Sequence, residues 1–458
     1  MNNKAAVGSA IALIDGNNFY ASCEAVVDPA VRGRPLVVLS NNDGCIVSRS
    51  AEARALGIAM GTPYFQARAE LERHGVVVRS SNYALYADMS ERLMASLEPW
   101  VEALEVYSID EAFGQLRRPK GEALLDWAQQ LRQDVLRQLG LPVAVGIGPS
   151  KVLAKLANRL AKRSPAGAPP GGGGGVFDLG AVDDPDSWLA ALPVADVWGI
   201  GRQLGEWCRR RGVADAKALR DMPTGELRRK CGVVGVRLQQ ELRGIACLPL
   251  ELAPAPKRET CVSRSFSKPV KELEQLREAI ASYVSRAAEK LRHQRQRAGM
   301  LTVFVRSSPF NGTSLYRHAI TVELPLPSND TAVLLAAALP LAKQLLRPHK
   351  PLQKAGVLMQ ALEPETQLQH HLFAPLPAEE QQRREALMAA VDGLNRRYGQ
   401  GTLRWAACGL KPAWAMRRER LSGAATTCIH AIPTAHAEGQ EPARFKRSAA
   451  AARRDRGG

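Results

Sequence analysis

The chain has 458 residues and carries 62 Lys and Arg against 45 Asp and Glu, a formal charge of +17. A composition of 45% hydrophobic and 23% charged residues excludes wholesale disorder and a collagen-like fibre, and the length allows two to four domains. No run of about 18 apolar residues occurs, which excludes a spanning helix.

Asp15 interrupts the apolar stretch near the N-terminus before it reaches signal-peptide length, so a cytoplasmic protein with no membrane partner is expected. The positive excess points to a polyanion, because clustered Lys and Arg gain affinity by releasing phosphate counterions. Cys23, Cys45, Cys208, Cys231, Cys247, Cys261, Cys408 and Cys428 form no CxxC pair; reduced thiols are expected, with neither a zinc module nor a disulfide framework.

In chain order, residues 11–178 alternate β-like apolar runs (11–14, 35–39, 76–78, 104–109 and 142–147) with helical stretches, which predicts an α/β or α+β unit. That unit ends at PAGAPPGGGGG, 165–175, where five glycines predict a surface loop. Residues 179–250 turn helical and basic, and 251–260 read as a linker. A small α+β unit follows at 257–360, with strands at 261–266 and 300–306 and helices at 273–297 and 331–346. An extension at 363–430 regains order around 380–420, and 431–458 reads as a disordered basic tail.

Asp15 closes the first apolar run, and Asp110 and Glu111 follow another in LEVYSIDEAF. Three hard oxygen donors on strand ends of one sheet suit Mg²⁺, and two such ions about 4 Å apart can hold the attacking and leaving oxygens of a phosphoryl displacement. Ordinary turn carboxylates are the competing reading. Neighbours in a regular strand face opposite ways, so Asp110 and Glu111 can share a site only at a strand end or bulge.

VAVGIGPSKVLAKLANRLAKR predicts a strand, a glycine turn and a helix bearing Lys151, Lys155, Lys162 and Arg163. It lacks the GxxxxGK[ST] of a Walker A loop; phosphate contact and a solvated basic face remain open for that helix. VWGIGRQL, with Gly199, Gly201 and Arg202, predicts a helix-hairpin-helix whose turn offers backbone N–H groups to a phosphate. Nine basic residues against four acids between 198 and 230 make the charge excess local there.

These segments, with DGNNFYASCE, SNNDGCIVSRSAEARALGI, SSNYALYADMS and SRSF, stand in the order seen in Y-family translesion DNA polymerases. The NNDGC and SNYxLYADMS variants and the C-terminal extension resemble the UmuC-like branch of bacterial DNA polymerase V rather than the DinB branch, over roughly residues 11–420.

The resemblance implies an α+β right-hand polymerase: a palm at 11–178 with fingers inserted at about 34–87, a helix-hairpin-helix thumb at 179–250, an α+β little finger at 257–360, and the extension. Asp15, Asp110 and Glu111 become the metal triad for two Mg²⁺ ions, with the Gly16 carbonyl as a further ligand. Tyr20 becomes the steric gate against a ribose 2′-hydroxyl, and Arg54 and Lys162 the triphosphate contacts.

In the little finger, Arg264, Lys290, Arg292, Arg295, Arg297 and Arg306 match basic residues that grip the template, a solvated helix face being the competing reading. Gln369, Leu372 and Phe373 resemble a clamp-binding peptide. Implied partners are primer-template DNA, deoxynucleoside triphosphates, a sliding clamp, a UmuD′-like dimer and a RecA-like filament. Departures are Ala51, where DinB relatives often place a triphosphate-binding Tyr, the glycine run at 171–175, and LSGAATT, where UmuC-like chains tend to have Pro and Tyr. The implied activity is error-prone translesion synthesis in the SOS response. A DNA-binding accessory protein without catalysis and a carboxylate-pair hydrolase are the rival classes; the intact triad opposes the first, and the charge and basic thumb oppose the second.

Overall fold

The structure, a computed structural model, describes residues 9–117, 124–163, 174–308, 315–347, 349–366, 378–410 and 414–422. Among the described residues, twelve strands fall into three sheets. In chain order they are β1 (Ser9–Gly16), β2 (Leu36–Leu39), β3 (Ile46–Arg49), β4 (Val77–Ser80), β5 (Ala103–Val106), β6 (Glu111–Arg117), β7 (Val143–Gly148), β8 (Val176–Asp178), β9 (Thr260–Val270), β10 (Gln296–Ser307), β11 (Arg317–Ser328) and β12 (Leu352–Pro364).

The first sheet runs β5-β6-β1-β7-β8, antiparallel except where β7 pairs with β8. β7 is buried along its whole length, as a strand covered on both faces must be. Its two glycines have a packing reason: a Cβ at Gly146 would collide with the backbone of Asn158 and Ala154, and one at Gly148 would stand 3.0 Å from the Ala154 amide. Helix Lys151–Ala161 therefore lies directly on the strand, and Asn158 fastens it by donating to the carbonyls of Leu13 (3.2 Å) and Ala144 (2.9 Å). The GxG that resembles a nucleotide loop is thus a helix-docking device.

A second sheet, β3-β2-β4, with helices Ala51–Ala55 and Tyr64–Arg73, has its own core of Val37, Leu39, Ile46, Ala53, Ile58, Ala67 and Leu71. Helices between Pro185 and Leu242 pack on the outer side of helix Lys151–Ala161 through Leu189, Val197, Cys208, Leu219 and Leu227. The third sheet, β11-β10-β12-β9, is antiparallel throughout and buries Leu276, Ile280, Val284 and Leu291 of helix Leu273–His293. Helix Ala378–Tyr398 clasps this unit through Arg292 on Asp392 (2.7 Å, bidentate) and Arg297 on Glu385 (2.9 Å).

Several elements differ from the sequence reading. The run 104–109 is not one strand: β5 stops at Val106, and Glu111 opens β6. The helix expected to reach 297 stops at His293, since Arg295 takes φ 51° and Gln296 begins β10. The helix expected over 331–346 breaks at Pro340 into Thr331–Ala338 and Leu341–Leu345, where the proline lacks the N–H the helix needs. The described cysteines are free.

Candidate active site

The acids gather at one edge of the first sheet because of strand register. Asp15 of β1 lies directly opposite Glu111 of β6. Asp110 is the last residue of the β5–β6 turn, where the amides of Tyr107 and Ser108 donate to the Glu111 carbonyl (3.1 and 3.0 Å). Ser108 shapes that turn: its hydroxyl donates to Asp110 Oδ1 (2.7 Å) and accepts from the amides of Asp110 and Glu111 (3.3 and 3.2 Å). Gly16 N–H donates to the Asp110 carbonyl (2.8 Å) and ties the turn to β1. Asp110 and Glu111 escape the alternation of a regular strand by standing in a turn and at a strand start.

Two lysines seven residues apart on helix Lys151–Ala161 and its cap point at these acids. Lys162 Nζ lies 2.6 Å from Asp15 Oδ1, and Lys155 Nζ lies 2.8 Å from Glu111 Oε2. Lys155 also sits over the rings of Tyr107 (4.4 Å) and Trp198 (5.2 Å). Burial pushes the Asp15 carboxyl up to about 6 against the pull of the Lys162 ammonium, and the charges of Glu111 and Asp110 add to the rise. Lys151 is different in kind: buried, it pairs with Glu105 of β5 and donates to the Pro249 carbonyl (2.8 Å), so it fastens the hairpin rather than meeting a phosphate.

Tyr20, second residue of the helix Phe19–Val27 that follows β1, is half-buried, its ring stacked on Tyr86 at 4.3 Å and 14°. Arg54 reaches from the second sheet's unit to Asn18 Oδ1 (2.9 Å), between Asp15 and Tyr20. Ala51 is exposed at the start of that Arg54 helix and brings no hydroxyl.

Among the described residues no three carboxylate, His or Cys side chains already stand at ligating distance from one another; Asp15 and Glu111 are turned to lysines and Asp110 to Ser108. The donor set nonetheless fits a hard divalent cation, since its three acids share one sheet edge with Gly16 beside them. The two ammonium groups hold positive charge there.

The other predicted residues are more scattered. Gly199 (φ 91°) and Gly201 precede helix Arg202–Arg209, with Gly201 as its N-cap, and the short helix expected before them is a single 3₁₀ turn, Val194–Asp196. Arg202, Arg209, Arg210 and Arg211, on the helix that follows that turn and just past its end, are exposed, as are Arg228, Arg229 and Lys230 of helix Thr224–Leu242. Arg264 and Arg295 are exposed on the third unit, whereas Arg292 and Arg297 are held by Asp392 and Glu385; for these two the expected template contact gives way to an internal clasp. Gln369, Leu372 and Phe373 lie outside the described residues, as does 431–458. Ser108 and Asn18 were missed, and Lys155 was not assigned to the site. The seven-residue spacing of Lys155 and Lys162 was the available signal.

The impB/mucB/samB family model matches residues 14–159, and the impB/mucB/samB family C-terminal domain matches 257–372. The chain is 42% identical to Protein UmuC of Salmonella typhimurium over 91% of its length and 97% of that protein's. The chain belongs to the impB/mucB/samB family. Within the family it is also 39% identical to Protein MucB of Escherichia coli, over 93% of its own length and 99% of that relative's. A DNA polymerase IV of Moorella thermoacetica is 29% identical over 85% of this chain and 94% of its own. A domain of unknown function matches residues 385–435. Among solved structures, a Y-family DNA polymerase chimera of Dbh and Dpo4 superposes with a TM-score of 0.60 at 22% identity, covering 78% of this chain and 99% of the chimera. That likeness gives the fold, the α+β multidomain right hand of Y-family polymerases.

Proposed function

We propose that this chain is a template-directed, error-prone DNA polymerase that adds nucleotides to a primer 3′-hydroxyl opposite damaged bases. The reading rests on one observation above all: β1, β6 and the β5–β6 turn bring Asp15, Glu111 and Asp110 to a single sheet edge in a chain of this family. Y-family polymerases need divalent metal ions; here Asp15, Asp110, Glu111 and the Gly16 carbonyl would hold two Mg²⁺. Such ions supply charge neutralisation and a more acidic 3′-hydroxyl when bound, so that positioning rather than a dedicated protein base carries the reaction.

The chain's own residues do the positioning. Lys162 pairs with Asp15 and Arg54 with Asn18, three residues further on, where two cations can offset triphosphate charge as Lys162 leaves Asp15. Tyr20 lies beneath the sugar as a gate by excluded volume. The exposed arginines beside Gly199 and Gly201, with Arg264 and Arg295, grip phosphates of the primer-template. Residues 11–178 with the insertion at 34–87, then 179–250 and 257–360, act as palm with fingers, thumb and little finger. We place the protein in the cytoplasm; no helix among the described residues is long and apolar enough to cross a membrane.

Gln369, Leu372 and Phe373 are assigned to a sliding clamp, and a UmuD′-like dimer and a RecA-like filament are assigned as activating partners. The test is primer extension across a template lesion with Mg²⁺ and all four deoxynucleotides, with and without those partners. Template-directed incorporation is expected. Tight DNA binding with no incorporation under any of these conditions would instead mark a non-catalytic DNA-binding factor.

A further inference from the structure

The C-terminal segment after the clasping helix lies in the region that a domain of unknown function matches, and it crosses three units. Trp414 is buried in the core of the third sheet's unit beside Phe266 and Tyr283. From there the chain runs to the second sheet's unit. The amides of Arg417 and Glu419 donate to Asn42 Oδ1 (3.0 Å) and Asp43 Oδ2 (3.2 Å). Arg420 exchanges two bonds with Ser80, each 2.9 Å, and lays its guanidinium over Tyr64 at 5.3 Å.

Asn42, from the NNDGC motif, takes the left-handed backbone that Asn tolerates better than most residues (φ 61°). Its amide nitrogen donates to the Ser265 carbonyl of β9 (2.8 Å). One side chain therefore joins this segment, the second sheet's unit and the third.

The segment ends beside the proposed gate. Ser422 Oγ accepts from Asn82 Nδ2 (3.0 Å) and donates to Glu24 Oε1 (3.3 Å). That same oxygen accepts the Tyr86 hydroxyl (2.7 Å), and the Tyr86 ring carries the stacked Tyr20 ring. Glu24 is fully buried, and its other oxygen has no hydrogen-bond partner among the described residues, Arg79 Nε being 4.0 Å away. A buried carboxylate this short of partners depends heavily on each bond it accepts.

We propose that Arg417–Ser422 positions the steric gate: through Ser422, Glu24 and Tyr86 the C-terminal segment sets where the Tyr20 ring stands, and so how well the site rejects a ribose. Tyr86, Glu24 and Ser422 are positioning residues, and the proposal rests on the reading of Tyr20 as the gate. Sugar discrimination is sensitive to such placement because shifts on the order of 1 Å alter rates by up to about a hundredfold.

The test measures ribonucleotide against deoxynucleotide incorporation opposite an undamaged base, in the full chain, for the parent and for Tyr20→Ala, Tyr86→Phe, Ser422→Ala and Ser422→Thr. Tyr20→Ala should raise the ribo-to-deoxy ratio most. Tyr86→Phe and Ser422→Ala should raise it by about threefold to tenfold, the factor a net hydrogen bond is worth, and Ser422→Thr should keep the parental ratio. A purely structural role would lower use of both sugars together and leave the ratio where it was. If Tyr20→Ala moves the ratio but Ser422→Ala does not, the C-terminal segment has no hold on the gate and the proposal falls. If Tyr20→Ala leaves the ratio unchanged, the gate reading fails first and the proposal falls with it.

Discussion

Asp15 carries a conflict that belongs to function. Its carboxyl is raised from 3.8 to about 6 because burial outweighs the Lys162 ammonium. A raised folded-state value means that the folded chain binds the proton more tightly than the unfolded chain does. The stabilisation is therefore present at low pH and lost as pH rises through that window, leaving an ionised, underpaired carboxylate at neutral pH. Asp15→Asn should match or exceed the parent's melting temperature without metal, with a difference that grows as pH rises from 3.8 towards about 6. It should also lose the rise in melting temperature that Mg²⁺ gives the parent, since a ligand that binds only the folded state stabilises it. Melting curves across pH, with and without Mg²⁺, check both. At this scale the sequence was legible for the acids, because Asp15 ends an apolar run and Asp110 and Glu111 stand together. Their relation to Lys155 was not, because it depends on how far a helix sits from a strand, which two glycines set, and their relation to Ser108 depends on the conformation of a turn that the sequence read as strand.

Helix Lys151–Ala161 shows how one element divides structural from functional charge. Lys155 and Lys162 meet the acids of the site, while Lys151 is buried against Glu105 and holds the β5–β6 hairpin on which Glu111 and Asp110 stand. Removing one member of a buried pair leaves an uncompensated charge, so Lys151→Ala should destabilise the chain by about 3–5 kcal/mol. A Lys151→Met, Glu105→Leu double variant should recover most of that loss, although Glu105 also accepts the Glu251 amide (2.8 Å). Denaturant unfolding of the three proteins measures it; equal loss in single and double variants would mean that the pair is incidental. Apolar runs located β1, β2, β4, β7, β9 and β10 and the start of β5, since the hydrophobic pattern is local. They did not reveal β3, β6, β8, β11 or β12. β6 was hidden because an acid, Glu111, opens it, and β11 because it is a largely exposed strand at the sheet edge in which apolar residues alternate with polar ones.

Across the whole molecule, charge and linkage matter more than any single contact. The exposed arginines around Gly199 and Gly201 and those of the third unit should make primer-template affinity fall steeply with salt, as phosphate contacts release counterions. A clamp should add a contact that this slope does not describe. Leu372→Ala with Phe373→Ala should cost about 2 kcal/mol or more of clamp binding, as loss of a hot-spot pair does, and should leave unaided extension unchanged; survival of clamp binding would show the peptide to be ordinary linker. The breaks near 165–175 and 251–260 were legible from glycine and proline clusters and the insertion at 34–87 only through the resemblance, whereas the clasp of helix Ala378–Tyr398 on Arg292 and the reach of Arg420 to Ser80 join residues too far apart in sequence for any local pattern to show.

Asp110→Ala separates chemistry from DNA holding. Extension and primer-template affinity are recorded side by side on one preparation free of other polymerases. Extension should drop to background while affinity stays within a few-fold of the parent and keeps its salt dependence. Extension that persists in Asp110→Ala would contradict the assignment of the triad, and extension and affinity lost together would mean that these acids hold the fold rather than the metal.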